Sequence, residues 1–143
     1  MDSEKISAAE NSTIEGIVGS NRLRFQHEQN GLAIAVLLLS NHAPGAPVVD
    51  QKGKFVGFIS EFNILQALAD GKDLNRVTAA DLMVKDRVPV TAYTTIGEAV
   101  KIMEKSRFLN LPVEKGGVTI GCITRHDLLQ AWVKLGLGLE WKC

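Results

Sequence analysis

The sequence contains few cysteines, no excess of one charge and no long apolar run, and each absence excludes a class of protein. The two cysteines, Cys122 and Cys143, are too few for a disulfide framework, which favours a reducing compartment. Lys and Arg together number 16, as do Asp and Glu, so no overall positive field attracts nucleic acid or an anionic membrane. The longest apolar run, residues 32–39, is far shorter than the ~20 residues of a membrane span, and the polar residues 1–12 do not resemble a secretory signal. The sequence therefore predicts a cytoplasmic protein that has neither a membrane nor a nucleic acid as partner.

The sequence also lacks the motifs of an enzyme or of a metal site. Its three histidines, His27, His42 and His126, are scattered and share no metal-ligand spacing with the cysteines. No glycine-rich phosphate loop and no nucleophile–base pair is apparent, because the glycines fall in short turns. We therefore expect a protein without catalytic residues, bound metal or cofactor.

What the sequence does contain is an internal repeat. Pro112 lies 65 residues after Pro47, and near this offset the neighbouring positions match as well, with one residue fewer in one hairpin. Further equivalent pairs are Thr13 and Thr78, Val48 and Val113, Ser60 and Thr124, and Asn63 and Asp127. The pattern of each copy indicates a β-α-β-β-α unit whose small sheet has one apolar face, and pairing the copies would bury both faces. The predicted fold is therefore α+β, with two such repeats packed sheet to sheet about a pseudo-two-fold axis.

This pattern divides the chain into four segments. Residues 13–72 form the first repeat and residues 73–136 form the second. Residues 1–12 are polar with nothing to bury and are expected to be a disordered tail. Residues 137–143 form a C-terminal tail whose Trp141 either covers an exposed helix or stays undocked, and the sequence leaves these alternatives open.

A strand-to-helix turn in the second repeat is the main candidate for a binding site. Residues 118–124 are apolar and β-branched, which is typical of a buried strand, and helical spacing begins at Arg125. Thr124 is placed to cap this helix, and Asp127 follows three residues later. The N-terminus of a helix has unpaired N–H groups and a partial positive charge, which suit a phosphate. The alternative is a plain capping box, in which both side chains only satisfy the helix's own donors.

Three short motifs recur in order along the chain. They are the x-Pro-Val strand start at 46–48 and 111–113, the Gly-x-x-Ser/Thr-x-x-Asp/Asn turn at 57–63 and 121–127, and the Ala-Asp-Leu-Met linker at 80–83. Together they resemble a tandem pair of cystathionine-β-synthase (CBS) domains, called a Bateman module. The resemblance covers nearly all of residues 13–135, although the first copy is degenerate, with Asn63 where the second has Asp127. It implies a regulatory module without catalysis that binds AMP, ADP, ATP or S-adenosylmethionine in a cleft between the repeats.

The resemblance also implies which residues form the ligand site. Asp127 would hold the ribose hydroxyls, and Thr124 would bind the ribose or the α-phosphate. Cys122 would lie against the adenine, with His126 close by. Arg125 would face the phosphate, with Arg107 as a second candidate across the cleft. The opposite wall would consist of residues from the first repeat, namely Thr13, Gly16, Val18, Ala43 and Pro44.

A second site is implied at the equivalent place, with weaker chemistry. Its residues would be Phe58, Ser60, Asn63, Thr78, Asp81, Met83, Phe108 and Leu109. Glu61 replaces Arg125 there and Asp81 replaces Gly16, so two carboxylates would oppose a phosphate. The neutral Asn63 also binds a ribose hydroxyl less strongly than a carboxylate does. We therefore predict one competent nucleotide site in each chain.

The preferred function is a free-standing sensor of adenine nucleotide. Ligand binding would change the shape of the module and hence its fit to a regulated protein, which the sequence does not identify. The helix at 31–41 is apolar on more than one face, and in the CBS family such helices join two modules, so a homodimer is expected. Two alternatives stay open, namely an interaction module that has lost ligand binding and a binder of S-adenosylmethionine or a nicotinamide nucleotide.

Overall fold

The computed structural model describes residues 9–17 and 22–137, which form two repeats with the same order of elements. The first contains β1 (Phe25–Gln26), α1 (Gly31–Ser40), β2 (Gly45–Val49), β3 (Phe55–Ser60) and α2 (Glu61–Ala69). A short 3₁₀ turn (Leu74–Arg76) and α3 (Ala79–Leu82) lead into the second. That repeat contains β4 (Val90–Thr91), α4 (Ile96–Ser106), β5 (Asn110–Lys115), β6 (Val118–Thr124) and α5 (Arg125–Gly136).

The two sheets have the same topology and matching registers. In each sheet the first strand pairs in parallel with the second, and the second pairs antiparallel with the third. Gly45 opposes Ser60 in the first hairpin, as Asn110 opposes Thr124 in the second. The register shifts at Val48/Val49 and, at the equivalent place, at Val113/Glu114. The predicted duplication of one β-α-β-β-α unit is confirmed.

The segment before each repeat packs into the apolar core of the other repeat. Ile14 and Ile17 belong to the apolar core of the second repeat. Leu74, Ala79 and Leu82 belong to the core of the first. Isolated backbone bridges hold both segments in place, since Thr13 pairs with Thr95 and Thr78 pairs with Asn30. The two repeats are therefore joined by an exchange of short segments.

The first of these segments begins within the predicted tail. Ala9 is buried, the backbone N–H of Gly97 donates to the carbonyl of Glu10 at 2.9 Å, and that of Ile96 donates to Ser12 at 2.8 Å. Residues 9–12 therefore cap the start of α4 and belong to the packed structure, not to a disordered tail. Residues 1–8 and the tail containing Trp141 lie outside the described residues.

The sheets of the two repeats face one another, as predicted. Strand β2 contacts both β5 and β6 across the interface. The buried Asn110 donates from Nδ2 to the carbonyl oxygen of Gly45 at 3.0 Å, and these two residues are equivalent in the repeat. The N–H of Thr119 donates to the carbonyl of Gly53 at 2.9 Å, so the first hairpin also reaches β6. Among the helices of the described residues, none is long and apolar enough to cross a bilayer.

Candidate functional site

The turn from β6 into α5 forms a reciprocal capping box. Thr124 has extended backbone angles, which end the strand and place its hydroxyl over the first turn of the helix. The N–H of Asp127 donates to Thr124 Oγ1 at 3.1 Å, and the N–H of Thr124 donates to Asp127 Oδ2 at 2.9 Å. Within the described residues, Oδ1 of Asp127 accepts no hydrogen bond. The carboxylate can therefore cap the helix with one oxygen and still offer the other to a ligand.

The equivalent turn from β3 into α2 has the same geometry, but the capping side chain three residues after Ser60 is the neutral Asn63. The N–H of Asn63 donates to Ser60 Oγ at 3.1 Å. Asn63 Oδ1 in turn accepts from the Ser60 N–H at 2.8 Å and from the Ser60 hydroxyl at 2.9 Å. This amide oxygen is used twice within the turn, so it has less capacity for a ligand than the carboxylate of Asp127.

Cys122 is a buried, unreactive residue next to this turn. Its side chain is 1 % exposed, and burial raises the pKa of the thiol well above its usual range. The nearby Arg87 guanidinium lowers this pKa and the Asp127 carboxylate raises it, both by less than burial does. The thiol is therefore protonated at neutral pH, which argues against redox chemistry, and its contact with an adenine ring stays a prediction.

The two residues between Thr124 and Asp127 are Arg125 and His126. His126 is exposed. Arg125 is also exposed and lines a groove of about 550 Å³ between α4 and α5, together with Leu128, Leu129 and Trp132. The side chain that was predicted to meet a phosphate thus lies beside an apolar helix face, and its role in a ligand site stays a prediction. Arg107 is exposed at the left-handed C-cap of α4, with φ of 62°.

The residues predicted for the opposite wall are spread over two places. Thr13 and Gly16 are exposed in the segment that packs on the second repeat. Ala43 is buried in the core of the first repeat, beside the half-buried Pro44. Val18 lies outside the described residues.

The loops before β2 and β5 meet near the pseudo-two-fold axis. The Pro44 carbonyl accepts from the N–H of Glu61 at 2.9 Å, and the equivalent Leu109 carbonyl accepts from Arg125 at 3.2 Å. Each loop therefore contacts the helix start of its own repeat. The hydrogen bond between Asn110 and Gly45 joins the two loops, so both helix starts lie close to the inter-repeat cleft.

The structure brings several residues of the predicted second site together around one cavity. This cavity of about 430 Å³ is within the size range of small-molecule sites. Its lining residues are Asn63, Gln66, Ala67, Ala69, Asp70, Lys72, Asp81, Leu82, Met83 and Val84. At the edge of this cavity Thr78 and Asp81 form a capping box, in which the Thr78 N–H donates to Asp81 Oδ2 at 2.9 Å. This lining contains two carboxylates, Asp70 and Asp81, and one lysine, Lys72, so it favours a neutral ligand over a phosphate.

The linker wall of this cavity is held against β3 by a close approach. A Cβ on Gly57 would lie 2.5 Å from the Met83 sulfur, so the glycine is required for Met83 to sit where it does. Phe58 and Val84 exchange backbone hydrogen bonds of 2.8 and 2.9 Å. The linker thus extends the first sheet by one residue pair and follows the wall of the cleft.

One residue at the cleft was missed by the sequence analysis. Arg87 follows the linker, and its guanidinium carbon lies 3.7 Å from the ring centroid of Phe58 and 4.2 Å from that of Phe108. Both rings belong to the predicted second site. The repeat alignment offered one signal, because Arg87 is equivalent to Arg22, so an arginine occurs at this position in both copies.

Comparison with known proteins agrees with this architecture. The family model of the CBS domain matches residues 28–70 and 79–134, and the chain belongs to the CBS domain family as a tandem pair. The uncharacterized protein MJ1225 of Methanocaldococcus jannaschii is 27 % identical over 134 residues, which are 94 % of this chain and 46 % of that protein. The chain thus spans about half the length of this curated relative.

Solved CBS structures have the same fold. The structure of CBSX2 in complex with AMP matches with a TM-score of 0.73 and 22 % identity, over 87 % of this chain and 98 % of that one. The CBS domain pair of protein MJ0100, in complex with 5-methylthioadenosine and S-adenosyl-L-methionine, matches with a TM-score of 0.73 and 20 % identity. That match covers 85 % of this chain and 96 % of the other. The fold predicted from the repeat is confirmed.

Proposed function

We propose that this chain is a regulatory CBS pair that binds one adenosine-containing nucleotide, AMP, ADP or ATP, in the cleft between its repeats. The observation that carries this proposal is the half-buried carboxylate of Asp127 at the start of α5. One of its oxygens caps the helix, and the other is available to accept hydrogen bonds from the two ribose hydroxyls. Charged acceptors make the stronger hydrogen bonds to hydroxyl groups, so this turn is well suited to a ribose.

The difference between the two helix starts favours one nucleotide per chain. Asn63 is neutral, and its oxygen is used twice within its own turn. Glu61 and Asp81 would add negative charge next to a phosphate at that end. The α5 end instead has Arg125 and His126 in its first turn. Two CBS pairs of the same fold were solved with AMP and with S-adenosyl-L-methionine, which supports an adenosine ligand.

The proposed output of ligand binding is a change in how two copies of the chain pack together. The outer helix face is rich in exposed apolar side chains, namely Leu32, Val36, Leu39, Phe62, Leu65, Leu68, Leu129 and Val133. It contains two grooves at equivalent places, one between α4 and α5 and one of about 210 Å³ between α1 and α2. Apolar patches of this kind are typical of protein interfaces. A homodimer through this face is therefore part of the proposal.

The charges in the two grooves favour one orientation of the second copy. Glu61 lines the groove between α1 and α2, and the equivalent Arg125 lines the groove between α4 and α5 together with Glu104. Packing the first groove of one copy on the second groove of the other brings these opposite charges together. The reverse orientation would place Glu61 of one copy against Glu61 of the other, which is unfavourable. We therefore propose an antiparallel pair.

Sedimentation equilibrium of charge variants tests this orientation. Arg125→Glu alone should weaken the dimer, because Glu61 of the other copy would then face a carboxylate. The double variant Glu61→Arg with Arg125→Glu should restore it. Equal association of all three proteins, or a monomeric wild type, would contradict the proposed packing.

Isothermal titration calorimetry with adenosine, AMP, ADP, ATP, S-adenosylmethionine and NADH tests the ligand. We expect one site per chain for at least one of the adenine nucleotides. Tighter binding of S-adenosylmethionine or NADH would assign the site to that ligand instead. No heat with any of the six would favour an interaction module without ligand, a function for which the exposed helix face is the supporting observation. Two equal nucleotide sites per chain would contradict the argument from Asn63 and Asp127.

A further inference from the structure

The Arg87 side chain occupies a gap between two aromatic rings at the second cleft. Phe58, on β3, is fully buried, and Phe108, in the loop before β5, is partly buried. The guanidinium carbon lies 3.7 Å from the centroid of the first ring and 4.2 Å from that of the second. These separations are close to the ~3.5–4.0 Å of carbon atoms in van der Waals contact. The guanidinium is thus in contact with both rings.

Hydrogen bonding does not explain this placement. Nε and Nη1 of Arg87 are buried, and neither has an acceptor among the described residues. Burial lowers the pKa of this guanidinium, and the negative charge of Asp86 opposes that effect less strongly. Buried donors without acceptors are unfavourable, so contact with the two ring faces is what holds the side chain in the gap.

The other cleft has no aromatic pair at the equivalent positions. The residue equivalent to Phe58 is Cys122, and the one equivalent to Phe108 is Ala43. Both are small, so an arginine at the equivalent position 22 cannot stack between two rings there. The aromatic pair is therefore a property of the second cleft alone.

We propose that the gap between Phe58 and Phe108 is a binding slot for one flat aromatic base, and that the Arg87 guanidinium occupies it and keeps the second cleft closed. A guanidinium and a purine are both planar, and both stack on aromatic faces. Both would contact the same two ring faces, so the two exclude each other. The backbone pairing of Val84 with Phe58 fixes the linker three residues before Arg87, which keeps the guanidinium within reach of the slot. The same Val84 lines the neighbouring cavity of about 430 Å³, which could take the sugar of a nucleoside.

Equilibrium dialysis with adenosine tests this proposal, which rests on the proposed function only in the choice of probe. Adenosine has a flat base and no phosphate, so the carboxylates of Glu61 and Asp81 do not repel it. The variant Arg87→Ala should bind one adenosine per chain more than the wild type. The matched control is Arg76→Ala, because Arg76 is an exposed arginine that pairs with Asp73. This variant should bind the same number of adenosine molecules per chain as the wild type.

Arg87→Lys provides a second variant if Arg87→Ala does not fold, as judged by circular dichroism. It keeps the charge and the aliphatic stem but removes the flat head group, so the same gain of one adenosine is expected. A folded variant with the wild-type number of sites overturns the slot. If the wild type binds no adenosine and the variant binds one, the slot stands, and the proposed function is then decided by the calorimetric titrations with AMP, ADP and ATP. If both bind one, the slot fails and the proposed function stands.

Discussion

Replacing Asp127 and Asn63 separately by alanine tests the difference between the two helix starts. Both side chains close the same capping box, with hydrogen bonds of 2.9 and 2.8 Å to the N–H of Thr124 and of Ser60. Losing such a hydrogen bond costs ~0.5–1.5 kcal/mol. The two variants should therefore lose similar stability, and for a domain of this size the midpoint of thermal unfolding should fall by roughly 1–6 °C.

Ligand affinity should respond in only one of the two variants. Removing the charged acceptor for the ribose hydroxyls should cost ~1.5–3 kcal/mol, which corresponds to a dissociation constant roughly 10- to 150-fold higher in Asp127→Ala. Asn63→Ala should bind the nucleotide as the wild type does. Asp127→Asn separates charge from capping, because Asn63 shows that an amide can close the same box. This variant should keep most of the stability and still lose affinity.

Thermal unfolding and calorimetric titration of the four proteins provide the two measurements. The reasoning is refuted if Asn63→Ala weakens nucleotide binding as much as Asp127→Ala does. It is also refuted if Asp127→Asn binds as tightly as the wild type, since the charge would then be irrelevant. A loss of binding that merely follows the loss of stability in all three variants would assign both turns a structural role only.

Three further predictions concern the packing of the repeats. Asn110→Ala leaves the Gly45 carbonyl without its buried donor and should lower the free energy of unfolding by ~1–3 kcal/mol in urea titrations, whereas an unchanged midpoint would deny this bond a structural role. Gly31→Ala should destabilise by ~1–3 kcal/mol although alanine favours helix, because its Cβ would lie 2.8 Å from the Leu74 carbonyl oxygen; higher stability would show that the 3₁₀ turn yields. Above about pH 8.5 the stability should fall by up to ~1.4 kcal/mol per pH unit, because the Cys122 thiol ionises in the unfolded chain while burial raises its pKa in the folded one. Cys122→Ala should show a shallower fall, and equal slopes would exclude this contribution.

Local patterns in the sequence were sufficient to predict the repeated unit and its helix starts. A capping box joins residues three apart, so Thr124 with Asp127 and Ser60 with Asn63 could be recognised from spacing alone. The strands of each hairpin follow one another directly, and the offset between Pro47 and Pro112 related the two copies. Face-to-face packing then followed from the need to bury one apolar face of each small sheet.

The features that depend on residues distant in the sequence were decided by the tertiary structure. The segment beginning at Ala9 has a polar sequence and was predicted to be a tail, yet it is packed on α4, because its backbone groups pair with residues more than 80 positions away. Arg87 is an ordinary charged residue in sequence, and its contact with Phe58 and Phe108 exists only because the two sheets face each other. Periodicity and spacing report interactions within one turn of helix or one hairpin. They do not indicate which side chains meet across an interface, and the two clefts of this protein differ in contacts of that kind.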